Sequence, residues 1–362
     1  MKIQRFYILL LVVIGLLSGC ETTQQQTTNP QPSTNSEFAG ESQANKGINV
    51  NSKGQAIERA EEAKRGRDYE RALYYYIQAL EFDRQDADIY FQIGEIHRRL
   101  QNLEVAEKAY LKVLQFENEH LGAHKALGVL FMVQRDYLEA QRHLQKAISL
   151  DQIRLRQQAE TAKHNPQTQL KTVYQSLDDK SPIEAYVVTG VIEDIQENHP
   201  QARSYYQLAL QYKPKSAVYL SNLGYSFYLT GDLIMAERYF KRAINFDSTF
   251  KRAWSNLGLV YARQGQYERA IKTFKHIMPE HDAYNDLGYF LMLESNLQLA
   301  ERYLRKAINL SPTYFEKANL NLEQVEMLQR DQWQAQQSRK LGSENIPAGN
   351  QQTEESVNST YR

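Results

Sequence analysis

Gly94 and Gly128 stand 34 residues apart in this 362-residue chain, and so do Ala72, Ala106 and Ala140. After an interruption the same two phases return at Gly190, Gly224 and Gly258 and at Ala202, Ala236 and Ala270. A small residue recurring at this period marks one supersecondary unit copied many times. A single unit cannot cover its own apolar face, so the copies must stack and share a core. Apolar residues around these phases fall at helical spacing, Leu223, Phe227, Phe240 and Ala243 in one copy and Leu257, Tyr261 and Phe274 in the next. Glycine inside a helix costs about 1 kcal/mol against alanine. Its return in each copy therefore points to close approach by a second helix, with the alanine twelve residues on as the matching small position. Gly231-Asp232 and Gly265-Gln266 supply turns between the two helices, because glycine tolerates the left-handed backbone of a helix end.

The phrases IYFQIGEIHRRLQNLEVAEKAYLKVL, VYLSNLGYSFYLTGDLIMAERYFKRAI, AWSNLGLVYARQGQYERAIKTF and AYNDLGYFLMLESNLQLAERYLRKAI resemble tetratricopeptide repeats. The expected fold is all-α, a tetratricopeptide-repeat superhelix: an α-solenoid of about seven helix pairs plus a capping helix. Units fall at 53–86, 87–120, 121–154, 183–216, 217–250, 251–280 and 281–314, the first with Ala60 at the glycine phase and the sixth shortened before Gly288. Residues 315–340 carry Leu320, Leu322, Val325 and Leu328 and then turn to glutamine, the composition of a capping helix. Residues 155–182 have no glycine phase and are an insertion or a hinge. Either they lengthen the second helix of the third unit and return through Asn165-Pro166, or they split the array into two lobes.

Ahead of the repeats, Lys2 and Arg5 precede an apolar run from Phe6 to Leu17, then Ser18, Gly19 and Cys20. That order is the charged, apolar and small-residue order of a secretory signal, and the run is short for a spanning helix, which wants about 20 apolar residues. Cys20 is the single cysteine of the chain, so no internal disulfide is available to the fold. Leu17-Ser18-Gly19-Cys20 resembles the bacterial lipobox. The resemblance implies that residues 1–19 are a lipoprotein signal peptide and that Cys20 takes palmitate-type acyl chains, which together hold a protein almost permanently where a single chain is marginal. Glu21 after the cysteine implies an outer-membrane anchor facing the periplasm. Residues 20–52 and 341–362 are rich in Gln, Thr, Asn and Ser with few bulky apolar residues, the composition of a tether and a tail without a core. The first spans roughly 30 Å on average.

Basic and acidic side chains balance at 43 each, which gives no overall bias toward nucleic acid or anionic lipid. The chain contains no HExxH, GxxxxGK[ST] or GxSxG motif and no paired cysteines, so no enzyme, cofactor or metal is expected. An enzyme carried on the repeats would need a further domain, for which 155–182 is too short. His120 and His124 share the i, i+4 spacing of a metal pair, but without a third ligand at that phase they read as structural.

Binding is what the repeats leave. First helices line a concave groove, and with the glycine as the eighth position of each unit the groove receives positions two, five, six, nine and twelve. The candidate partner-binding residues are Ser221, Asn222, Tyr225 and Tyr228 in the fifth unit, with Val218. The sixth adds Arg252, Ser255 and Asn256, with Leu259 and Ala262; the seventh adds Asn285, Asp286 and Tyr289, with Asp282 and Met292. Tyrosine rings supply contact area and the side-chain amides suit a peptide backbone. In tetratricopeptide grooves the sixth-position Asn commonly bonds ligand main chain; the alternative is a bond to a neighbouring helix. Arg252 and Arg263 are too few cations for a groove that clamps a terminal carboxylate.

Residues 217–330, above all NLGYSFYLTGDLIMAERYFKRAI and NDLGYFLMLESNLQLAERYLRKAINLSP, resemble the tetratricopeptide lipoprotein of the tight-adherence (Tad, Flp pilus) apparatus, the TadD-like family. The chain departs from that family by an additional amino-terminal half and by the 155–182 insertion. The resemblance implies a membrane-anchored periplasmic scaffold that docks a secretin or other pilus-assembly component. The same features also fit a pilotin for type IV pili, or a periplasmic adaptor for a protease or cell-wall enzyme.

Overall fold

The structure, a computed structural model, describes residues 50–162 and 174–344. These form fifteen α-helices and no strand. In the first compact unit, which ends at Arg252, five helix pairs follow one another: α1 (Lys53–Arg65) with α2 (Tyr69–Phe82), α3 (Ala87–Arg99) with α4 (Leu103–Phe116), α5 (Leu121–Gln134) with α6 (Tyr137–Ala162), α7 (Ile183–Ile195) with α8 (His199–Tyr212), and α9 (Ala217–Leu229) with α10 (Leu233–Phe246). The second unit, from Ala253, holds α11 (Lys251–Arg263, its first two residues in the first unit), α12 (Tyr267–Phe274), α13 (Glu280–Leu293), α14 (Leu297–Leu310) and α15 (Glu316–Glu344).

All seven hairpins turn by one device. Each places a residue with φ between +61° and +82° at the same phase: Arg67, Gln101, Arg135, Glu197, Gly231, Gly265 and Ser295. The next residue closes the preceding helix with its N–H, as Asp68 to the Ala63 carbonyl (2.9 Å), Asp136 to Phe131 (2.9 Å) and Asp232 to Phe227 (3.0 Å). Where that residue is Asp, its carboxylate also opens the following helix by accepting from Arg71, Glu139 or Met235, a cap worth about 1 kcal/mol. The turn signal seen at Gly231 and Gly265 is thus present in only two of seven hairpins. Elsewhere the surrounding hydrogen bonds hold an L-residue in the left-handed region against its intrinsic cost.

The repeated glycine is covered by the residue sixteen positions on. A methyl group added at Gly94 would come within 2.6 Å of Tyr110, at Gly190 within 2.7 Å of Tyr206, and at Gly128 within 2.5 Å of Leu144. Gly258 faces Phe274 and Gly288 faces Leu304 in the same way. The alanine twelve positions on is fully buried in every pair, at Ala72, Ala106, Ala140, Ala202, Ala236, Ala270 and Ala300. It belongs to the same contact: the carbonyls of Ala140 and Ala300 also close on Gly128 and Gly288.

Within 155–182, α6 runs on to Ala162, 26 residues against 14 for α4 or α8. Asn165-Pro166 lies outside the described residues. From Tyr174 the chain returns along α6 and is fastened there. Arg154 donates to both Asp178 oxygens at 2.6 Å and to buried Asp151 at 2.6 Å. Gln152 accepts from the Gln175 N–H (2.7 Å) and donates to the Tyr186 hydroxyl (2.8 Å). Leu177 enters one core with Leu144, Ile148, Leu155, Tyr186 and Tyr205, so the third and fourth pairs are continuous across the interruption. The boundary between compact units lies between Arg252 and Ala253.

The sixth pair is short because α12 has only eight residues before the chain turns to Pro279, the cap of α13. Helix α15 then docks on the seventh pair, burying Ala318, Leu322 and Val325. Arg305 reaches Glu326 (2.8 Å) and Gln329 reaches Glu301 (3.0 Å). No described helix is long and apolar enough to cross a membrane.

Candidate protein-binding site

Helix α9 begins at Ser216, whose hydroxyl accepts from the Tyr219 N–H. It is buried on nearly every side, polar residues included. Ser221 is 1% exposed and Asn222 7%, and Tyr225 and Tyr228 stack with ring centroids 5.8 Å apart. Neither the Ser221 hydroxyl nor the Asn222 amide nitrogen has a hydrogen-bond partner among the described residues. A buried donor left unmade costs about 1–3 kcal/mol, and both atoms are enclosed by the packing of α9. Val218 stands exposed one turn before Asn222.

Arg252, the last residue of the first unit, lies over the Phe250 ring at 5.1 Å. Burial pulls its guanidinium below the usual range, and the nearby Tyr206 hydroxyl acts in the opposite direction.

In the second unit Asn256 is buried on α11 and Ser255 is partly buried. Asn285 is fully buried and engaged: its amide donates to Asp286 (3.1 Å) and its oxygen accepts from Asn321 of α15 (2.9 Å). Asp286 in turn pairs with Lys317 of α15 at 3.1 Å, and Tyr289 is half-buried. The capping helix has taken over these positions of the seventh pair. Of the candidate residues, the structure brings together Ser221, Asn222, Tyr225 and Tyr228 as a face with unmet polar capacity. Asn285 and Asp286 it assigns to internal contacts.

The same face of the earlier pairs carries charge that sequence reasoning missed. Lys64 bonds Glu61 (2.6 Å) and crosses to Gln92 of the next pair (2.9 Å), while Tyr76 donates to Glu61. One repeat on, Arg98 bonds Glu95 (2.9 Å) and Tyr110 donates to Glu95 (2.6 Å). Burial works to raise the Glu95 carboxyl, but its bonds to Arg98 and Tyr110 outweigh that and hold it below the usual range. The signal was available, since Glu61/Glu95, Lys64/Arg98 and Tyr76/Tyr110 all stand one period apart.

The histidines divide differently from the i, i+4 pairing. His120 caps α5 by accepting from the Ala123 N–H (3.0 Å). His124 meets His143 of α6, Nδ1 to Nδ1 at 2.9 Å, with both rings buried. Arg142 donates to His143 Nε2 (2.9 Å), and His124 Nε2 lies 3.0 Å from the Asn118 carbonyl. This network assigns one proton between the pair, from His143 Nδ1 to His124 Nδ1. Burial, then Arg142 and His124, push His143 down to about 4. No group of three or more metal-binding side chains occurs among the described residues. Cys20, the tether through residue 49 and the tail beyond 344 lie outside the described residues.

Family models described as tetratricopeptide repeat match residues 57–119, 239–272 and 281–314. Over these segments the chain is similar to tetratricopeptide repeats, and seven of its described helix pairs have the corresponding hairpin arrangement. It is 28% identical over 122 residues to the anaphase-promoting complex subunit CDC16 of Saccharomyces cerevisiae, a match over 31% of this chain that spans only 14% of that protein's length. A tetratricopeptide repeat protein from Parabacteroides merdae superposes with a TM-score of 0.51 at 15% identity, covering 76% of this chain and 100% of that one. PilF of Pseudomonas aeruginosa gives a TM-score of 0.44 at 16% identity, covering 67% of this chain and 96% of that one. At 15% identity the likeness to the Parabacteroides merdae protein is one of fold.

Proposed function

We propose that this protein is a lipid-anchored periplasmic scaffold that takes a peptide segment of a pilus-assembly partner, a secretin or another component of a Tad/Flp apparatus, on the first-helix face around α9. The observation that carries the binding reading is the pair of buried, unpartnered polar groups, Ser221 Oγ and Asn222 Nδ2, beside the stacked Tyr225 and Tyr228. The Asn222 amide nitrogen makes no internal bond, so a backbone carbonyl from a partner that opens the packing around α9 would satisfy it, and the same opening would expose the Tyr225 and Tyr228 rings, now 7% and 3% exposed. The class of partner is supported by the resemblance of residues 217–330 to the TadD-like lipoproteins, and the anchor by the lipobox-like Leu17-Ser18-Gly19-Cys20. Three acyl chains on Cys20 and a tether of roughly 30 Å place the repeats on the periplasmic side of the outer membrane within reach of a membrane-embedded partner.

The test is a photo-crosslinking residue at exposed position Val218, activated in cells, with the attached protein identified by mass spectrometry. Capture of a secretin or pilus component is expected. Capture of a protease or cell-wall hydrolase would replace the assembly role with an adaptor role, and fractionation of Cys20→Ser with the membrane would remove the anchor.

A further inference from the structure

We infer that the insertion builds a second peptide site, on the side of the second helices, which accepts a short segment of a partner protein with an apolar residue followed closely by an acidic one. A regular second helix in this array has 14 residues, but α6 continues for 26. The extension and the chain returning at Tyr174 enclose a cavity of about 320 Å³ open to solvent. One wall is a single stripe of α6, from Gln145 through Gln152 and Ile153 to Arg156, at i, i+7, i+8 and i+11. At 1.5 Å per residue that stripe is roughly 16 Å long, the span of four or five extended residues.

The opposite wall is aromatic. Tyr174 from the returning segment and Tyr205 from α8 lie with centroids 5.5 Å apart, their hydroxyls 2.9 Å from one another. That mutual bond ties up the polar ends and leaves the ring bodies to the cavity. Gln152 is fixed by its bonds to Gln175 and Tyr186, so the wall is rigid before any ligand arrives. Ile153 is 50% exposed at this place, a large aliphatic side chain facing two tyrosines across an open cleft.

Charge selects the occupant. Arg154 is neutralised by Asp151 and Asp178, whereas Arg156, half a turn further on and lining the cavity, has no carboxylate partner among the described residues. A peptide with an aliphatic or aromatic side chain between Ile153 and the tyrosines, and a carboxylate near Arg156, meets both features at once. Helices α6 and α8 are second helices, so this site is separate from the α9 face.

The test uses the purified full chain in detergent solution and a fluorescein-labelled glycine–serine hexapeptide carrying one phenylalanine and, two residues on, one aspartate. Saturable polarisation is expected. Arg156→Glu, an exposed position, should weaken it at least about tenfold with an unchanged melting curve, and a peptide with lysine for aspartate should then prefer the variant to the native chain. Ile153→Asp should weaken binding of both peptides. Equal binding by Arg156→Glu overturns the site. So does loss of binding in Ser221→Ala/Asn222→Ala with retention in Ile153→Asp, which would put the peptide on the α9 face. Dimerisation of the native chain that Ile153→Asp abolishes, without peptide binding, would make a second copy the occupant and also overturns it.

Discussion

The ring of Tyr110 covers Gly94 while its hydroxyl donates a 2.6 Å hydrogen bond to Glu95, so one side chain fills the space the glycine leaves and holds the adjoining carboxylate. Gly94→Ala must push that ring away, since the added methyl would come 2.6 Å from it. Urea unfolding should show a loss of about 1–3 kcal/mol. Gly54→Ala in α1, where nothing lies within 4 Å, should instead gain about 0.5–1 kcal/mol.

The hairpin turns make a paired prediction of opposite signs. Arg135 holds φ +64° where Gly231 holds +82° at the equivalent position. Arg135→Gly relieves a strained backbone and should stabilise by about 0.5–1 kcal/mol, whereas Gly231→Ala introduces the strain and should cost about 1 kcal/mol. Thermal melts of the two variants measure both.

The His124–His143 pair predicts acid sensitivity within α5 and α6. The folded pKa of His143 is depressed to about 4, so the stability tied to its neutral form is complete above the unfolded value of about 6.5 and is lost as pH falls toward 4. The native chain should lose up to roughly 3 kcal/mol across that window, and His143→Leu should show a shallower pH dependence by chemical denaturation.

Two asparagines at the same phase should behave oppositely. Asn222→Ala removes a buried amide nitrogen with no internal partner, so stability should hold or rise by up to about 1 kcal/mol while partner capture at Val218 is lost. Asn285→Ala removes the bond to Asn321 from the fully buried Asn285 position, costing about 1 kcal/mol.

Arg154→Met strands Asp151, which is fully buried, and should cost about 3–5 kcal/mol, with new proteolytic cleavage between 155 and 182. Asp178→Asn, at a partly exposed carboxylate, should cost less, about 1 kcal/mol.

The paired helices were legible because the glycine phase is fixed by a steric requirement that nothing else satisfies as well. The hairpin turns were legible only at Gly231 and Gly265. At Arg67 or Glu197 the left-handed residue is imposed by the bonds around it, which composition does not register. The groove positions followed from the repeat phase, yet the same phase gave an unmet amide at Asn222 and a satisfied one at Asn285. The difference lies in Asp286, which accepts from the Asn285 amide where the fifth unit has Leu223, and in Asn321, which donates to the Asn285 oxygen. The His124–His143 contact joins residues 19 apart on different helices, a spacing that no single-helix rule detects.

The fastening of Tyr174–Ser181 to α6 makes the length of the polypeptide and the length of the array separate quantities. Because Arg154 and Gln152 grip the chain on its return, residues inserted between positions 162 and 174 should leave the next pair in place. Closing a flexible insertion costs only about 0.6 kcal/mol more for each doubling of its length. This is therefore where a reporter peptide or a whole domain can be spliced in, turning the interruption into a socket for cargo.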